Sequence, residues 1–573
     1  MVPSPPDTRR RAGVGGSVLV GAGILLSRVT GLVRERAVGH FFGTGYAADA
    51  FTAANRIPNV LQSLLGEGVL SASIIPTYSR LLAQGREADA GRVAGAVAGL
   101  LATVVSAVVL VTVVFARPVT AVLAPGLGEE TFELTVTLMR IVTPAIGILV
   151  LSAWCLGVLN SHRRFFLSYV APVLMNVAQV AVLVVAAGVV VGDLGGDLGE
   201  AAQSSLVVWL AWGTLLGGIL QFAIQIPAVM RVAPGVRVSL RTGDAETRGV
   251  IRSFVPIVGA RGVVHLSGFL HLVLASFLAL GALAAMRYAQ MLYVLPVSLF
   301  GMAVAAAELP ELSRIGADGD NVLRTRVASG LARIVFFVAP TLVAYVVVGD
   351  FLVAALYQSG EFGRSDVVQV WLILAVHSLG LLAVTGSRLL QSVLYGLGQP
   401  RTPARVAVVR VAVSLALGLV LMFQFDRFAI GPEGLQQVGD LPAFGPLPEQ
   451  FRDPAGGQSQ HHLGGVGLAV AAAAASLVEY RMLRRAVRPH APDVAILGSR
   501  ARPALLAAVL SGMVATAVRP AAAGLHPIMA GVVVTGVLGA VYLFASWRLG
   551  VPEAGRILQI LARRPPPRAD PHP

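Results

Sequence analysis

The chain has 573 residues, of which 55% are hydrophobic and only 13% are charged, and its mean hydropathy is +0.76. Soluble proteins carry about 25% charged residues, so the composition excludes a soluble multidomain protein and indicates a polytopic membrane protein. The net charge is +14, and all 44 basic residues are arginine because the sequence contains no lysine. This excludes the lysine of a phosphate-binding loop and that of a Schiff base, so we predict no ATP site.

A membrane-spanning helix needs about 20 mostly apolar residues, and the sequence contains fourteen segments of this kind. In chain order they lie near residues 14–38, 46–78, 93–116, 132–160, 166–192, 202–230, 253–278, 284–310, 327–349, 367–395, 404–424, 463–480, 503–518 and 524–547. The second and eighth segments are less apolar and contain Pro58 and Pro296. The predicted fold class is therefore an all-α polytopic membrane protein with about 14 transmembrane helices.

The distribution of arginine predicts the orientation of these helices. With the N-terminal tail placed in the cytoplasm, 29 arginines fall in cytoplasmic segments and 5 in periplasmic loops, as the positive-inside rule requires. We therefore expect a multi-pass protein of the bacterial cytoplasmic (inner) membrane with both termini in the cytoplasm. The basic charge mostly reflects this topology, so no nucleic-acid partner is predicted.

Short motifs that recur at an offset of about 236 residues predict an internal repeat. Gly43 and Gly281 begin similar segments, and Pro58 and Pro296 stand at the same offset of 238. Because six helices separate the copies, the repeats are parallel, an architecture in which transporters bind substrate between the halves. The predicted organisation is an N-lobe at 1–232 (helices 1–6), a C-lobe at 246–488 (helices 7–12) with a long, flexible periplasmic loop at 425–462, two extra C-terminal helices 13–14 at 500–550, and a disordered cytoplasmic tail at 551–573.

Polar residues form a stripe along the second predicted helix. Asp49, Arg56 and Ser63 are spaced seven residues apart, and Glu67 follows four residues later. At 100° per residue these side chains lie close to one line on the helix surface. We interpret the stripe as the wall of an aqueous cavity, and the alternative interpretation is a hydrogen-bonded ladder between helices.

Further charged residues fall within the predicted spans of helices 1, 7 and 8. The N-terminal half is the more cationic, and guanidinium groups in a cavity of low dielectric constant suit a phosphate or pyrophosphate, which they bind through two hydrogen bonds. The predicted substrate-binding set is Arg28, Arg34, Arg56, Asp49, Glu35, Glu67, Arg261 and Arg287. We predict no catalytic residue and no metal site, and the single cysteine, Cys155, is interpreted as a small core residue.

The motifs of the first two helices are similar to those of a known family. Ser27-Arg-Val-Thr-Gly-Leu-Val-Arg-Glu35, Asp49-Ala-Phe51, Arg56-Ile-Pro-Asn59 and Gly66-Glu-Gly-Val-Leu-Ser71 resemble the lipid II flippase (MurJ/MviN) family of the multidrug/oligosaccharidyl-lipid/polysaccharide exporters. The resemblance implies transfer of lipid II from the inner to the outer leaflet by alternating access of a V-shaped cavity. It also implies coupling to an ion or to the membrane potential and a groove for the polyprenyl tail at helices 13 and 14.

The resemblance carries over to single residues only in part. The cavity arginine of the family matches Arg34, and its acidic neighbour matches Glu35. A basic pair of the family falls on Gln62 and Ser63, and its helix-8 arginine falls on Met291. The set of charged residues that lines the cavity of this chain is therefore expected to differ from that of other members of the family.

Other functions are compatible with some of the same residues. The same fold could move another undecaprenyl-linked oligosaccharide or serve an ion-coupled exporter, although an exporter of cations would need a net acidic cavity. A membrane-embedded glycan-modifying enzyme would need carboxylates near one membrane face, and those of loop 425–462 are scattered. A scaffold of the division machinery would not need the polar stripe. The expected partners are lipid II or a similar polyprenyl-pyrophosphate-linked glycan, membrane lipid, and cell-wall or division proteins.

Overall fold

The computed structural model describes most of the chain. The described residues are 8–190, 192, 198–241, 243–301, 320–431, 434–438, 444–452, 454, 460–492 and 494–561. The end of the eighth predicted span and the part of the predicted tail beyond residue 561 lie outside these ranges.

Helices account for almost all of the described residues. In chain order they are α1 (Thr8–Phe42), α2 (Tyr46–Leu65), α3 (Glu67–Ala83), α4 (Glu87–Val114), α5 (Ala116–Leu123), α6 (Glu129–Ser161), α7 (Phe165–Val190), α8 (Glu200–Val232), α9 (Ala245–Ser276), α10 (Ala282–Pro296), α11 (Asp320–Val347), α12 (Gly349–Tyr357), α13 (Arg364–Ser378), α14 (Leu381–Gly396), α15 (Arg401–Asp426), α16 (Glu449–Arg452), α17 (Gly464–Val487), α18 (Arg502–Ala522), α19 (Pro527–Arg548) and α20 (Pro552–Leu561). A π-helical turn at Val297–Gly301 continues α10, and strands β1 (Phe428–Gly431) and β2 (Gly434–Gln437) form an antiparallel pair.

The predicted all-α polytopic membrane fold is confirmed. Within the described ranges, ten helices are long and apolar enough to cross a membrane, or eleven if α13 and α14, bent by 41°, form one span. The remaining predicted spans correspond to α1, to the α2–α3 pair and to α9. A total of fourteen spans is compatible with this arrangement.

The described residues pack as two compact units. The first contains residues 1–284, 359–362 and 448–459, and the second contains the rest of the chain. In the first unit the apolar faces of α3, α4 and α6 form one core, in which the indole Nε1 of Trp154 donates to the carbonyl of Ala94 at 3.1 Å. Cys155 is buried in this core, as predicted. Because α9 packs on α2 and α3, it belongs to the first unit, although the repeat places it in the C-lobe.

The linker between α8 and α9 lies in a groove of α4. Three glycines spaced four residues apart line one face of α4, namely Gly91, Gly95 and Gly99. A Cβ atom on any of them would collide with the linker backbone, at Gly235, Arg237 and Ser239 respectively. The amide of Ser239 also donates to the carbonyl of Gly95 at 3.1 Å. Because glycine has no Cβ atom, α4 and the linker between α8 and α9 can approach until their backbones are in contact.

In the second unit, α18 and α19 pack on α11 and α12. Arg519 of α18 binds the carboxylate of Asp350 through two hydrogen bonds of 3.1 and 3.0 Å, and Arg364 reaches the same carboxylate at 3.2 Å. Asp350 is only 1% exposed, and a buried carboxylate needs such partners because desolvation of an unpaired charge is costly. The two extra C-terminal helices are thus fixed to the second unit by a buried ion cluster.

Two turns offset by 235 residues support the internal repeat. The turn after α6 places Arg163 at φ 58°, and the turn after α14 places Gly398 at φ 70°. The backbone hydrogen bonds correspond pair by pair, with donors and acceptors Arg164–Leu159 and Arg163–Asn160 in one turn and Gln399–Leu394 and Gly398–Tyr395 in the other. Both turns are left-handed helix ends of the kind that favour glycine.

Two predictions of irregular structure need correction. Loop 425–462 is not simply flexible, since β1 and β2 pair within it and Ala429 forms a bridge to His462. The predicted disordered tail is wrong at its start, where α20 begins at Pro552. This helix forms because proline suits the first helical turn and because Ala554, Ile557 and Leu558 share one apolar face.

Candidate functional site

Arg34 on α1 is held from two sides. Its Nη2 lies 2.5 Å from Oε1 of Glu35, and its Nη1 donates to Oδ1 of Asn176 on α7 at 3.1 Å. The amide nitrogen of Asn176 in turn donates to the hydroxyl of Thr30 at 3.1 Å. Glu35 is 2% exposed, whereas the Arg34 side chain is 22% exposed. The guanidinium is therefore oriented by the packing of α1 on α7 and still reaches a surface.

Arg28 and Arg56 differ from Arg34 in having open donors. Both side chains are exposed, and neither forms a hydrogen bond or an ion pair with any residue that the structure describes. Arg56 on α2 instead packs its guanidinium against the backbone of Gly268 on α9. An arginine within a span costs about 2.5–3.5 kcal/mol at the membrane centre and normally faces a cavity or a partner.

Among the described side chains, no arginine of the predicted set pairs with Asp49. Its two carboxylate oxygens accept hydrogen bonds from the amides of Gly281 at 2.8 Å and Ala284 at 2.7 Å. These amides belong to the amino end of α10, where the helix dipole and unsatisfied N–H groups favour an anion. Asp49 is 3% exposed. Its role in this structure is to cap α10, although it was predicted as part of the substrate-binding set.

The polar stripe is interrupted. The helix breaks at Gly66, so Glu67 begins a separate helix, and the side chain of Glu67 lies outside the described residues. The stripe is also uneven along α2, because Asp49 is buried whereas Arg56 and Asn59 are exposed. The two interpretations of the stripe thus apply to different parts of it: one end bonds to a neighbouring helix and the other end is open.

Two further arginines of the predicted set belong to α9 and α10. The side chain of Arg261 on α9 lies outside the described residues. Arg287 on α10 belongs to the second compact unit, where its guanidinium lies 5.8 Å from the ring centre of Tyr288. Among the predicted residues whose side chains are described, Arg28, Arg34 and Arg56 are those that the first unit presents with some exposure.

The turn between α9 and α10 gathers contacts from distant parts of the chain, and we name residues 276–284 the turn segment. Besides the Asp49 contacts, the hydroxyl of Ser276 accepts from the amide of Gly126 at 3.1 Å. The amide of Leu280 donates to the carbonyl of Phe451 at 3.2 Å, so α16 of the long loop reaches the same place. The turn segment is thus fixed by α2, by the loop before α6 and by α16.

A related set of contacts lies at the end of α1. The amide of Glu361 donates to the carbonyl of His40 at 2.9 Å. The Glu361 carboxylate accepts from the amide of Leu198 at 3.1 Å and from the side chain of Gln203 at 3.4 Å. His40 and Ser276 are offset by 236 residues, close to the repeat offset. The ends of the first helices of both predicted repeats are therefore each held by a loop.

At the other end of these helices, charges connect α3 and α4 with α9. Glu246 accepts a hydrogen bond from Arg80 at 2.5 Å and forms an ion pair with Arg86 at 3.5 Å. Asp244 caps α9 by accepting from the amide and the hydroxyl of Thr247 at 2.8 and 2.7 Å. Burial alone would raise the pKa of Asp244, but the hydrogen bonds from Thr247 outweigh it and lower this pKa below its usual value.

Two residues outside the predicted set, Asn176 and Gly268, also contact these arginines. Asn176 lies in an apolar run of α7, and a buried amide in such a run signals a hydrogen-bonded partner. Gly268 lies in the interior of α9, where glycine is unfavourable by about 1 kcal/mol relative to alanine. Each signal is visible in the sequence, but the arginine that each residue contacts is determined only by helix packing.

Arg28, Arg34 and Arg56 are exposed or part-exposed guanidinium groups within predicted membrane spans. One arginine is oriented by a carboxylate and an amide, and two more have open donors, so the first unit offers several guanidinium groups for a bidentate oxyanion.

Comparisons with a family model and with related sequences all point to the same protein family. The family model described as lipid II flippase MurJ matches residues 38–432. The lipid II flippase MurJ of Burkholderia cenocepacia is 30% identical over 417 residues, which cover 71% of this chain and 76% of that protein. A probable lipid II flippase MurJ of Rhizobium meliloti is 31% identical over 412 residues, which cover 70% and 74% respectively.

Solved structures show the same fold at lower sequence identity. A lipid II flippase MurJ in an inward closed conformation superposes with a TM-score of 0.68 at 18% identity, and the match covers 96% of this chain and all of that one. An inward-facing multidrug transporter of the MATE family gives a TM-score of 0.53 at 17% identity and covers 82% of this chain and 94% of the transporter.

Proposed function

This chain belongs to the lipid II flippase MurJ family, and we propose that its arginines on α1 and α2 bind the pyrophosphate of the cargo. The chain is a membrane transporter for lipid II, the lipid-linked precursor of peptidoglycan. The pyrophosphate is the one group of this cargo that carries concentrated negative charge next to the lipid tail, and guanidinium groups bind such oxyanions in a bidentate manner.

The observation that carries the proposal is the fixed position of Arg34. Its guanidinium is held by Glu35 at 2.5 Å and by Asn176 at 3.1 Å while part of the side chain stays exposed. An oriented guanidinium loses less conformational entropy when it binds an oxyanion. Arg28 and Arg56 supply further donors, and they take the place of the family arginines that are Gln62, Ser63 and Met291 here.

Transport itself is proposed to proceed by alternating access from the inner to the outer leaflet. With both termini in the cytoplasm, the turn segment and the His40 contacts lie at the periplasmic ends of their helices, and the Glu246 contacts lie at the cytoplasmic ends. Contacts at opposite ends of the same helices are what a transporter must break in turn to expose its cargo to one leaflet at a time.

The energy source and the wider partners follow from the same proposal. A chain without lysine has no P-loop lysine of its own, so we propose that an ion gradient or the membrane potential drives transport. Charges within a membrane respond to the potential at about 2.3 kcal/mol per elementary charge per 100 mV. Cell-wall synthases or division proteins are proposed to receive the translocated lipid II in the periplasm.

The test is replacement of Arg34 by alanine in bacteria depleted of their own lipid II flippase. We expect Arg34→Ala to insert at normal levels but to fail to restore growth and lipid II translocation, because the oriented guanidinium is lost. The matched control is Arg140→Ala, which removes an exposed arginine of α6 that forms no ion pair among the described residues. Full rescue by Arg34→Ala at normal expression would show that the assignment of the site is wrong.

A further inference from the structure

Gly268 of α9 lies next to the guanidinium of Arg56 on α2. A Cβ atom placed on Gly268 would collide with Nη2 of Arg56, and it would lie 3.4 Å from Cζ and 3.8 Å from Nε. These distances increase from Nη2 to Nε, so the guanidinium approaches the glycine with its Nη2 end. The contact joins α2 to α9, which pack against each other in the first unit.

The second observation concerns the polar contacts of this guanidinium among the described residues. Arg56 forms no hydrogen bond or ion pair with a described residue, and its neighbour on α2, Asn55, bonds only to the carbonyl of Phe51 within the same helix. The space that Gly268 leaves open therefore limits where the guanidinium can lie, and no described residue occupies its donors.

We infer that Gly268 is a positioning residue, which holds the Arg56 guanidinium where it contacts the pyrophosphate of the cargo. The inference rests on the proposed function of the arginines. Gly268 does not touch the cargo; it acts by leaving room for Arg56. A methyl group at this position displaces the end of a flexible side chain rather than a backbone segment, so α9 keeps its packing while the guanidinium moves.

The experiment measures binding of undecaprenyl pyrophosphate to the full-length protein in nanodiscs. We expect Gly268→Ala to weaken binding about tenfold, a loss that corresponds to one charge-assisted hydrogen bond, with an unchanged melting temperature. Gly249→Ala is the matched control, because Gly249 also lies on α9 but has no atom within 4 Å of an added Cβ. This control is expected to bind like the wild type.

A double-mutant cycle separates positioning from a general effect on structure. In an Arg56→Ala background, Gly268→Ala is expected to cause no further loss, because the group that it displaces is gone. In an Arg56→Lys background its effect should shrink, because the compact ammonium group needs less space. Equal losses in the wild-type and Arg56→Ala backgrounds, or a lower melting temperature for Gly268→Ala, would overturn the inference.

The same series distinguishes failure of the inference from failure of the proposed site. If Arg56→Ala binds undecaprenyl pyrophosphate like the wild type, Arg56 has no part in the site and both the inference and this part of the proposed function are wrong. If Arg56→Ala weakens binding but Gly268→Ala does not, only the inference about Gly268 is wrong.

Discussion

At the scale of single residues, the charged side chains of the membrane segments have divided roles. Arg34 is oriented by Glu35 and Asn176, and Arg56 rests on Gly268. Asp49 belongs to the same predicted group but caps α10. The sequence motif therefore identifies which residues are unusual within a membrane, whereas the contact each one makes decides whether it holds a helix or faces a ligand.

Arg163 gives a prediction about stability. It occupies a left-handed conformation at φ 58°, where the equivalent turn of the second repeat has Gly398. A side chain in this conformation costs roughly 1–2 kcal/mol, part of which the flexibility of glycine in the unfolded chain offsets. We expect Arg163→Gly to stabilise the protein by about 0.5–1 kcal/mol, measured as a higher melting temperature in detergent. Arg164→Gly, with no positive φ to relieve, is the control and should give no increase.

At the scale of secondary structure, backbone contacts set limits that hydropathy does not show. The periodicity of the second span predicts one continuous helix, but Gly66 ends α2 and α3 begins at Glu67. Glycines at a spacing of four residues in α4 leave space for the backbone of the linker between α8 and α9. A glycine can thus end a helix, as Gly66 does, or allow another backbone segment to pack closely against a helix, as in α4. Which of the two applies depends on the backbone that lies next to the glycine.

The groove on α4 leads to a second stability prediction. Gly95→Ala would improve helix propensity by about 1 kcal/mol, but its methyl group collides with the carbonyl of Arg237, which is backbone and cannot move aside cheaply. We expect a net destabilisation of about 1–3 kcal/mol, seen as a lower melting temperature. The control is Gly188→Ala on α7, where the added Cβ meets no atom within 4 Å, and it should stabilise. A Gly95→Ala variant as stable as the control would contradict the tight contact.

At the scale of the whole molecule, the loop between α15 and α17 contacts a distant turn, which its composition does not predict. Its α16 reaches the turn segment, where Phe451 accepts from Leu280, and this loop extends beyond residue 432, where the match to the family model ends. A segment peripheral to the family match thus contacts a turn that Asp49 also fixes. Release of this contact is an expected part of the transport cycle.

A reversible cross-link tests whether the turn segment must open. In a Cys155→Ala background, which removes the single native cysteine, the pair Leu280→Cys and Phe451→Cys supplies the two thiols for oxidation. We expect the disulfide to stop lipid II translocation in proteoliposomes and reduction to restore it. The control pair, Phe428→Cys and Gln437→Cys, joins opposed residues of β1 and β2 and should leave translocation unchanged. Normal translocation with the first disulfide closed would show that this contact persists throughout transport.

The sequence by itself determined the membrane class, the order of the spans and the arginine-rich motifs. Hydropathy and the placement of charges are local properties, and the bilayer selects for both of them directly. Only the tertiary structure decided that Asp49 caps α10, that Asn176 orients Arg34 and that Gly268 makes room for Arg56. These contacts join residues more than a hundred positions apart in the chain. Which hydrogen-bond donor meets which acceptor depends on how the helices pack, and no local pattern contains that information.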